Sequence, residues 1–145
     1  NLINPTEAKR KYEDFQKANE GHKFFISDTS MTYDLGVNEL DSIEWLLGWA
    51  EEYLQGWNEE QLMIFSDLIH EFNWDDASDR VTDYDYTLIE TGDCGSNEEA
   101  VGRYYAKYLD IPGCIEPYFD YESYGRDILI ENTNVTTDDY VIIVY

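Results

Sequence analysis

The side chains that could do chemistry in this sequence are above all carboxylates. The chain holds 32 aspartates and glutamates against nine lysines and arginines, for a formal net charge of -23. Between Phe24 and Asp79 it has fourteen acids and no lysine or arginine. Like charges crowded on one folded body repel each other, so a surface of this kind indicates a task. DNA-binding channels are selected for a dense array of negative charges, and the carboxylates therefore predict a decoy for nucleic acid.

The decoy surface is expected to draw on acids from the middle and the C-terminal parts of the chain. Its predicted members are Asp41, Glu44, Glu51, Glu52, Glu60, Asp67, Glu71, Asp75, Asp76, Asp79, Asp83, Asp85, Glu98, Glu99, Asp120 and Glu122. No single member is expected to decide binding, because the attraction to a basic partner is summed over many charges. The alternative explanation of the charge is a merely solvated surface, as in proteins adapted to high salt.

An enzyme is the competing hypothesis. The segment from Gly92 to Ser96 (Gly-Asp-Cys-Gly-Ser) is similar to the nucleophile loop of chymotrypsin-like cysteine proteases. Cys94 would be the nucleophile, and His22 or His70 would serve as the base that activates it. That fold needs two β-barrels, whereas this chain has too few strands and at least four predicted helices. A cysteine hydrolase is therefore the weaker alternative, since such motifs do not transfer between folds.

A metal site is the third option. Three pairs of aspartates could gather Ca²⁺ weakly, but none has the spacing of an EF-hand. These pairs are Asp75 with Asp76, Asp83 with Asp85, and Asp138 with Asp139. Neither histidine has a cysteine or histidine at ligand spacing, and no phosphate-binding glycine loop is present. We predict no metal, no cofactor and no catalytic residue.

Composition also bears on the compartment and the partners. Cys94 and Cys114 form no CxxC motif, and two cysteines are too few for a disulfide framework, so we expect reduced thiols in a cytosolic protein. No apolar run approaches the ~18 residues of a membrane span. Nucleic acid and anionic membranes are excluded as partners because both are negative. The chain begins at Asn1 rather than Met, which leads us to expect a missing N-terminal piece.

The elements that must position these side chains fall into three blocks. Residues 1–35 carry a net charge of -1, residues 36–76 carry -11 without a single base, and residues 77–145 carry -11. A hydrophobic fraction of 43% with 16% aromatic residues excludes a disordered chain. We predict an α+β protein whose helices and strands fall within these three blocks.

The first two blocks carry helical signals. Pro5 and Thr6 open a helix that ends near Ala18, and the apolar run 24–26 predicts a strand before a boundary at Gly36. Asn38 is expected to cap a second helix that ends at Gly56. Asn58 with Gln61 three residues later predicts a capping box for the next helix. Its inward-facing residues are expected to be Leu62, Phe65, Leu68, Ile69 and Phe72.

The third block mixes helices and strands. Residues 84–91 alternate and are rich in β-formers, which predicts a strand. Ser96 and Glu99 predict a capping box for a helix that runs to Leu109. The remaining expected elements are a short helix 118–124 stopped by Gly125, and strands 128–131 and 140–144 joined by a polar turn.

Several of these segments resemble the ArdA antirestriction proteins of mobile genetic elements. Residues 118–128 are similar to the family stretch Tyr-x-Asp-Tyr-x-x-Tyr-Gly-Arg-Asp, and residues 101–105 resemble its Val-Ala-Arg-Tyr-Tyr helix. The acidic segment 59–72 is similar to the antirestriction motif. Two departures stand out: Glu71 lies where members place a histidine before the motif's Phe72, and the N-terminal strand region of the family is missing.

The resemblance implies a concrete function. Members of this family are elongated, non-catalytic homodimers with an N-terminal α/β part, a central helical part and a C-terminal α+β part. The resemblance therefore implies an incomplete N-terminal α/β part over residues 1–35, an acidic helical domain over 36–76 and an α+β domain over 77–145, in a protein of the bacterial cytoplasm. The carboxylates of the family imitate a stretch of bent B-form DNA and occupy the DNA channel of type I restriction-modification enzymes. The same resemblance leaves another DNA-handling machine, such as a CRISPR effector or a transcription regulator, as the alternative target. We expect the apolar strand 84–91 to contribute to the dimer face, because exposed strand edges invite pairing.

Overall fold

A computed structural model describes residues 4–20, residue 37 and residues 42–145 of the chain. Contacts between residues divide the chain into two compact units, Asn1–Thr82 and Asp83–Tyr145. Six α-helices and a three-stranded antiparallel sheet are formed by the described residues. The predicted α+β class is confirmed. The expected strand 24–26 and the boundary at Gly36 lie outside the described residues. No helix within those ranges combines the length and the apolar run that a membrane span needs.

The first unit opens with the predicted N-terminal helix. Helix α1 spans Pro5–Ala18, and the side chain of Asn4 caps it by accepting a hydrogen bond from the backbone N–H of Thr6 at 3.0 Å. Proline is favoured at the first helical position because the N–H that it lacks would have no intrahelical partner there. The helix predicted from Pro5 and Thr6 is therefore confirmed.

The second helix begins later than its sequence indicates. Helix α2 spans Ile43–Trp49, and Ser42 is its N-cap, with Oγ accepting from the N–H of Trp45 at 3.3 Å. Ser42 therefore takes the place of the predicted cap Asn38, which lies outside the described residues. The helix continues into a π-helix, Ala50–Leu54, which ends at a turn formed by Gln55 and Gly56. Both helical segments belong to the acidic block that carries no base.

The third helix confirms its predicted capping box. Helix α3 spans Glu59–Leu68. The side chain of Asn58 accepts a hydrogen bond from the backbone N–H of Gln61 at 2.9 Å, and the side chain of Gln61 accepts one from the backbone N–H of Asn58 at 3.0 Å. Leu62, Phe65 and Leu68 are buried as expected. Ile69 and Phe72 are only half-buried, and Ile64, which the sequence analysis did not single out, is fully buried.

A fourth helix was not predicted from the sequence. Helix α4 spans Trp74–Asp83, and the side chain of Asn73 caps it by accepting from the N–H of Asp76 at 2.9 Å. The helix covers positions on both sides of the boundary expected between residues 76 and 77. The chain leaves it through Tyr84, whose φ of 58° is the left-handed conformation in which many helices end. The division into three parts stays a prediction.

Aromatic rings fill the core of the first unit. The indole of Trp49 stacks on Phe65 with ring centroids 5.0 Å apart and meets Trp74 edge-on at 4.6 Å and Trp57 at 5.7 Å. Its Nε1–H is buried and donates to Oγ of Ser78 at 2.7 Å. Aromatic pairs in such geometries stabilise a fold beyond the area that they bury. A few large aromatic side chains thus supply much of the buried apolar surface, so acidic residues can occupy the exposed faces of the helices.

The sheet of the second unit has the strand order β1-β3-β2. Strand β1 spans Tyr86–Glu90, β2 spans Thr133–Thr136 and β3 spans Tyr140–Val144, all antiparallel. The strands predicted over 84–91 and 140–144 are confirmed, the former with shorter bounds. The expectation of a plain polar turn before β3 is wrong, because β2 lies within it and pairs Val135 with Ile142.

Two helices pack on one face of this sheet. Helix α5 spans Asn97–Ala106, with Ser96 as its predicted N-cap, and it ends three residues before the predicted Leu109. A short 3-10 helix, Glu116–Tyr118, precedes helix α6, which spans Tyr121–Glu131. The core joins residues of both helices to β1 and β3. Its members are Ile89, Ala100, Val101, Ile128, Leu129, Val141 and Ile143.

Helix α6 overturns two expectations. Gly125 does not stop a short helix, and residues 128–131 are not a strand, because α6 runs through both. The reason lies in the contact with α5. A Cβ atom at Gly125 would lie 1.8 Å from the backbone oxygen of Glu98, and one at Gly102 would lie 1.8 Å from that of Tyr121. The two glycines allow the backbones of α5 and α6 to come into contact. Gly125 is therefore explained by this contact between helices and not by the end of a helix.

Candidate acidic surface

Helix α4 presents a row of carboxylates that the sequence analysis did not place on a helix. Asp75 and Asp79 are four residues apart and exposed, and Asp76 lies beside them. Four residues of α-helix rise by about 6 Å, so the row repeats its charge at that spacing. The opposite face of α4 buries Ala77 and Val81 completely. Asp83, also exposed, is the last residue of α4.

Other exposed acids of the first unit lie on the neighbouring helices. Glu60 lies in the first turn of α3, Glu71 follows α3, and Glu52 lies on the π-helix. All three are exposed, and none of their side-chain carboxylates forms a hydrogen bond or ion pair with another described residue. Asp67 of α3 is half-buried. Unpaired, exposed carboxylates keep their full charge available to a cationic partner.

Two acids of the predicted surface are bound by α1 instead. Lys9 Nζ lies 2.6 Å from Glu51 Oε2, and this carboxylate is only half-exposed. The Tyr12 hydroxyl donates to Glu44 at 2.9 Å, and the Gln16 amide donates to the same oxygen at 2.7 Å. Hydrogen bonds from its own backbone N–H, from Tyr12 and from neighbouring side chains hold the pKa of Glu44 below its ordinary value. Glu44 therefore stays ionised across the physiological range.

Aspartate side chains of α4 also carry local contacts. Asp79 accepts a hydrogen bond from the hydroxyl of Tyr53 at 3.2 Å. Desolvation of the phenol, together with this carboxylate, raises the pKa of Tyr53 to about 12. Asp76 accepts from the side chain of Asn73 at 2.8 Å. Arg80, the basic residue of α4, places its guanidinium carbon 4.7 Å from the centroid of the Phe72 ring.

In the second unit several predicted acids have structural partners. Glu99 accepts hydrogen bonds from Arg103 at 2.8 Å and from the N–H of Gly95 at 3.1 Å. Both bonds lower the pKa of Glu99, and the bond from Arg103 has the larger effect. Glu122 pairs with Arg126 at 3.3 Å. Contacts of this kind reduce the charge that these acids can offer to a partner, so they are the weaker members of the predicted surface.

The remaining predicted acids differ in exposure. Asp120 is exposed and caps α6, accepting from the N–H of Ser123 at 3.0 Å, and this bond lowers its pKa. Asp85 is exposed, while Glu98 is half-buried. Asp41 lies outside the described residues. The role of all these acids in binding a partner stays a prediction.

The geometry gives no support to the hydrolase alternative. The Cys94 side chain packs half-buried against the apolar core of the second unit. Of the two histidines named as its base, His22 lies outside the described residues. An open groove of about 430 Å³ in the second unit is lined by Arg103, Lys107 and other residues that do not include Cys94. Within the described ranges no group of three or more metal-ligating side chains gathers at one place.

The fold and this surface define a small, strongly acidic α+β protein. Comparison with known families supplies the identity: the model of the ArdA antirestriction proteins matches residues 3–142, nearly the whole chain. The chain belongs to the ArdA family. It is thus an antirestriction protein, and the partners that its family implies are restriction enzymes. A search among curated proteins finds no significant match.

The sequence did contain a signal for α4. Asn73 with Asp76 three residues later is a capping pattern, and two acids in the first turn are typical of a helix start. The apolar signal was short, because Val81 is the only sizeable apolar side chain among the three residues that the helix buries, and the other two are Ala77 and Ser78. Small buried residues carry little weight in a hydrophobic periodicity.

Proposed function

We propose that this antirestriction protein acts as a DNA mimic that occupies the DNA-binding channel of type I restriction-modification enzymes. The observation that supports the proposal most is the carboxylate row of α4, with Asp75, Asp76 and Asp79 exposed on a helix whose other face is fixed in the core. A rigid row presents charge without having to be ordered when it binds.

The proposed mechanism is electrostatic. DNA channels position phosphates with lysine and arginine side chains that read no sequence. Duplex DNA offers such cations roughly one charge per 1.7 Å of axis, and exposed carboxylates on a fixed scaffold offer charges of the same sign. The protein also avoids the energy of bending a duplex, which is roughly 1–6 kcal/mol for a strongly bent site. The attraction extends over about 8–10 Å in physiological salt and weakens as salt is added.

Several features of the chain agree with this mechanism. The net charge of -23 gives the encounter with a basic channel a long reach. The exposed carboxylates of Glu52, Glu60, Asp75, Asp76 and Asp79 belong to a segment, from Phe24 to Asp79, that contains no lysine or arginine. The tightly packed aromatic core beneath them keeps the helices in place against mutual repulsion.

The proposal is tested by changing the row while holding the total charge constant between variants. Replacing Asp75, Asp76 and Asp79 together by asparagine removes three charges from α4. Exposed ion pairs are worth roughly 0.2–1 kcal/mol each, so the Kd for a type I methyltransferase should rise about threefold to a hundredfold.

The matched control removes three charges from exposed positions of the second unit. Its substitutions are Asp93→Asn, Asp110→Asn and Asp138→Asn, at positions outside the predicted surface. The control has the same net charge as the α4 variant, and we expect it to inhibit nearly as well as the unmodified protein. Equal loss of inhibition in both variants would show that total charge, and not the α4 row, determines binding.

A further inference from the structure

Helix α1 is the most basic segment of an otherwise acidic chain. It carries four of the nine lysines and arginines: Lys9, Arg10, Lys11 and Lys17. The next base along the chain after residue 23 is Arg80. Within the first unit, α1 lies against α2 and the π-helix, which carry none. Since α1 also carries three acids (Glu7, Glu13 and Asp14), its net charge is +1, and it covers part of an acidic face of the same unit.

The contacts of α1 use one face of the helix. Lys9, Tyr12 and Gln16 follow the spacing i, i+3 and i+7, which places them in one row. These three side chains bind Glu51 and Glu44 at distances between 2.6 and 2.9 Å. Each contact places a cation or a hydrogen-bond donor on a carboxylate. This is the chemistry that the proposed function assigns to the lysines and arginines of a partner.

Polar contacts join α1 to the described residues of α2, the π-helix and the turn after it. Of its side chains that the structure describes, none is buried, and those nearest the neighbouring helices, such as Ala8 and Tyr12, are half-buried. A further hydrogen bond joins the Gln55 amide to the hydroxyl of Thr6 at 2.9 Å. The Lys9–Glu51 pair is partly exposed on both sides. Interactions of this kind are individually weak and salt-sensitive, so a partner that offers lysine or arginine side chains can compete with them.

We propose that the face formed by Glu44 and Glu51 is a docking surface for a cationic segment of the partner protein, and that α1 occupies this face until the partner replaces it. The inference rests on the proposed function, because the partner must present basic side chains. Helix α1 acts as an internal competitor: it neutralises two carboxylates in the free protein and gives them up on binding. The occupant that replaces it carries lysine or arginine side chains at comparable spacing.

Two single substitutions in α1 test the proposal. Lys9→Ala removes the cation that holds Glu51, and Arg10→Ala removes a neighbouring, exposed cation that pairs with no described carboxylate. Both variants have the same net charge and the same helix-favouring residue. We expect Lys9→Ala to bind a type I methyltransferase about two- to fivefold more tightly than Arg10→Ala, the factor that one exposed ion pair supplies. Equal affinities, or weaker binding by Lys9→Ala, would overturn the competitor role.

A second measurement does not depend on the restriction enzyme. Amide hydrogen exchange of the unmodified protein is followed while a short oligolysine peptide is added to saturation. We expect exchange to accelerate in α1 and to stay unchanged in α3, because the peptide replaces Lys9 at Glu51. Unchanged protection of α1 at saturation refutes the exchange. If the peptide releases α1 but the methyltransferase is not bound, the docking surface stands and the proposed target is wrong.

Discussion

The contact between α5 and α6 yields a sharp prediction about Gly102. Replacing this glycine by alanine adds one methyl group, whose carbon would lie 1.8 Å from the Tyr121 oxygen and 2.7 Å from the Tyr121 carbonyl carbon. Ordinary contacts between a carbon and a carbonyl oxygen are about 3.3–3.6 Å. The methyl group meets backbone rather than a flexible side chain. The two helices must therefore separate by more than one ångström, and the core that they share with the sheet loses contacts.

The magnitude follows from two opposing effects. Overpacking in a well-packed core destabilises by about 1–3 kcal/mol and sometimes more. Alanine favours an α-helix over glycine by about 1 kcal/mol, which offsets part of the loss. Because neither backbone can turn away, we expect the upper end of the range and a net loss of about 2 kcal/mol. For a unit of this size such a loss lowers Tm by roughly 8–16 °C.

The chain offers a matched control at Gly48. This glycine lies inside α2, and a Cβ atom there would meet no atom of the described residues within 4 Å. Gly48→Ala should therefore stabilise the first unit by up to about 1 kcal/mol. All four tryptophans lie in that unit, so urea unfolding followed by tryptophan fluorescence reports on Gly48→Ala. Hydrogen exchange of the β3 amides gives the opening free energy of the second unit and reports on Gly102→Ala.

We expect the glycine-to-alanine substitution to lower the unfolding free energy at Gly102 and to raise it at Gly48. If Gly102→Ala leaves the exchange of β3 as slow as in the unmodified protein, the helices are further apart than described. In that case the account of why Gly125 lies inside α6 is wrong as well.

Two further predictions concern buried and capping polar groups. Ser78→Ala leaves the buried indole N–H of Trp49 without its acceptor, so the first unit should lose about 1–3 kcal/mol in urea unfolding, and an unchanged midpoint would contradict the hydrogen bond. Asp120→Ala tests the pH dependence of stability. Because the pKa of Asp120 is lowered in the folded protein, its carboxylate stabilises the fold at pH values above 3.8, the ordinary pKa of an aspartate. This contribution is lost as the pH falls through the lower pKa of the folded state. The difference in stability between the unmodified protein and Asp120→Ala should therefore be largest near neutral pH and shrink in acid, and a difference that grows in acid would be inconsistent with the cap.

The parts of the fold that were predicted from the sequence are those with local signals. The capping pair Asn58 and Gln61 fixes the start of α3 by hydrogen bonds between neighbours, and Ser96 does the same for α5. Such signals need no knowledge of the rest of the fold. The alternating strand that became β1 is of the same kind, since its pattern reflects one buried face.

The errors arose where distant contacts decide the structure. Gly125 has the sequence signature of a helix stop, yet its missing side chain serves the crossing with Gly102. The run 128–131 is rich in β-favouring isoleucine, but Ile128 packs on the sheet from a helix. Propensity is a weak prior that tertiary packing overrides.

The candidate surface was predictable in composition but not in arrangement. The sequence contains the acids and even their concentration in one block. It does not show that Glu44 and Glu51 are bound by α1, or that Asp75 and Asp79 share a helix face. Those distinctions depend on which helix lies against which, and they separate the carboxylates available to a partner from those already engaged.

The most direct test of the DNA-mimic proposal is a displacement titration. A purified type I methyltransferase core is loaded with fluorescent DNA, and this protein is added at low and at high salt. If the protein is a DNA mimic, we expect stoichiometric release of the DNA at low salt and much weaker release as salt screens the carboxylates. DNA that stays bound in the presence of excess protein at low salt would contradict the proposed mechanism and leave an antirestriction protein that acts on its target by other means.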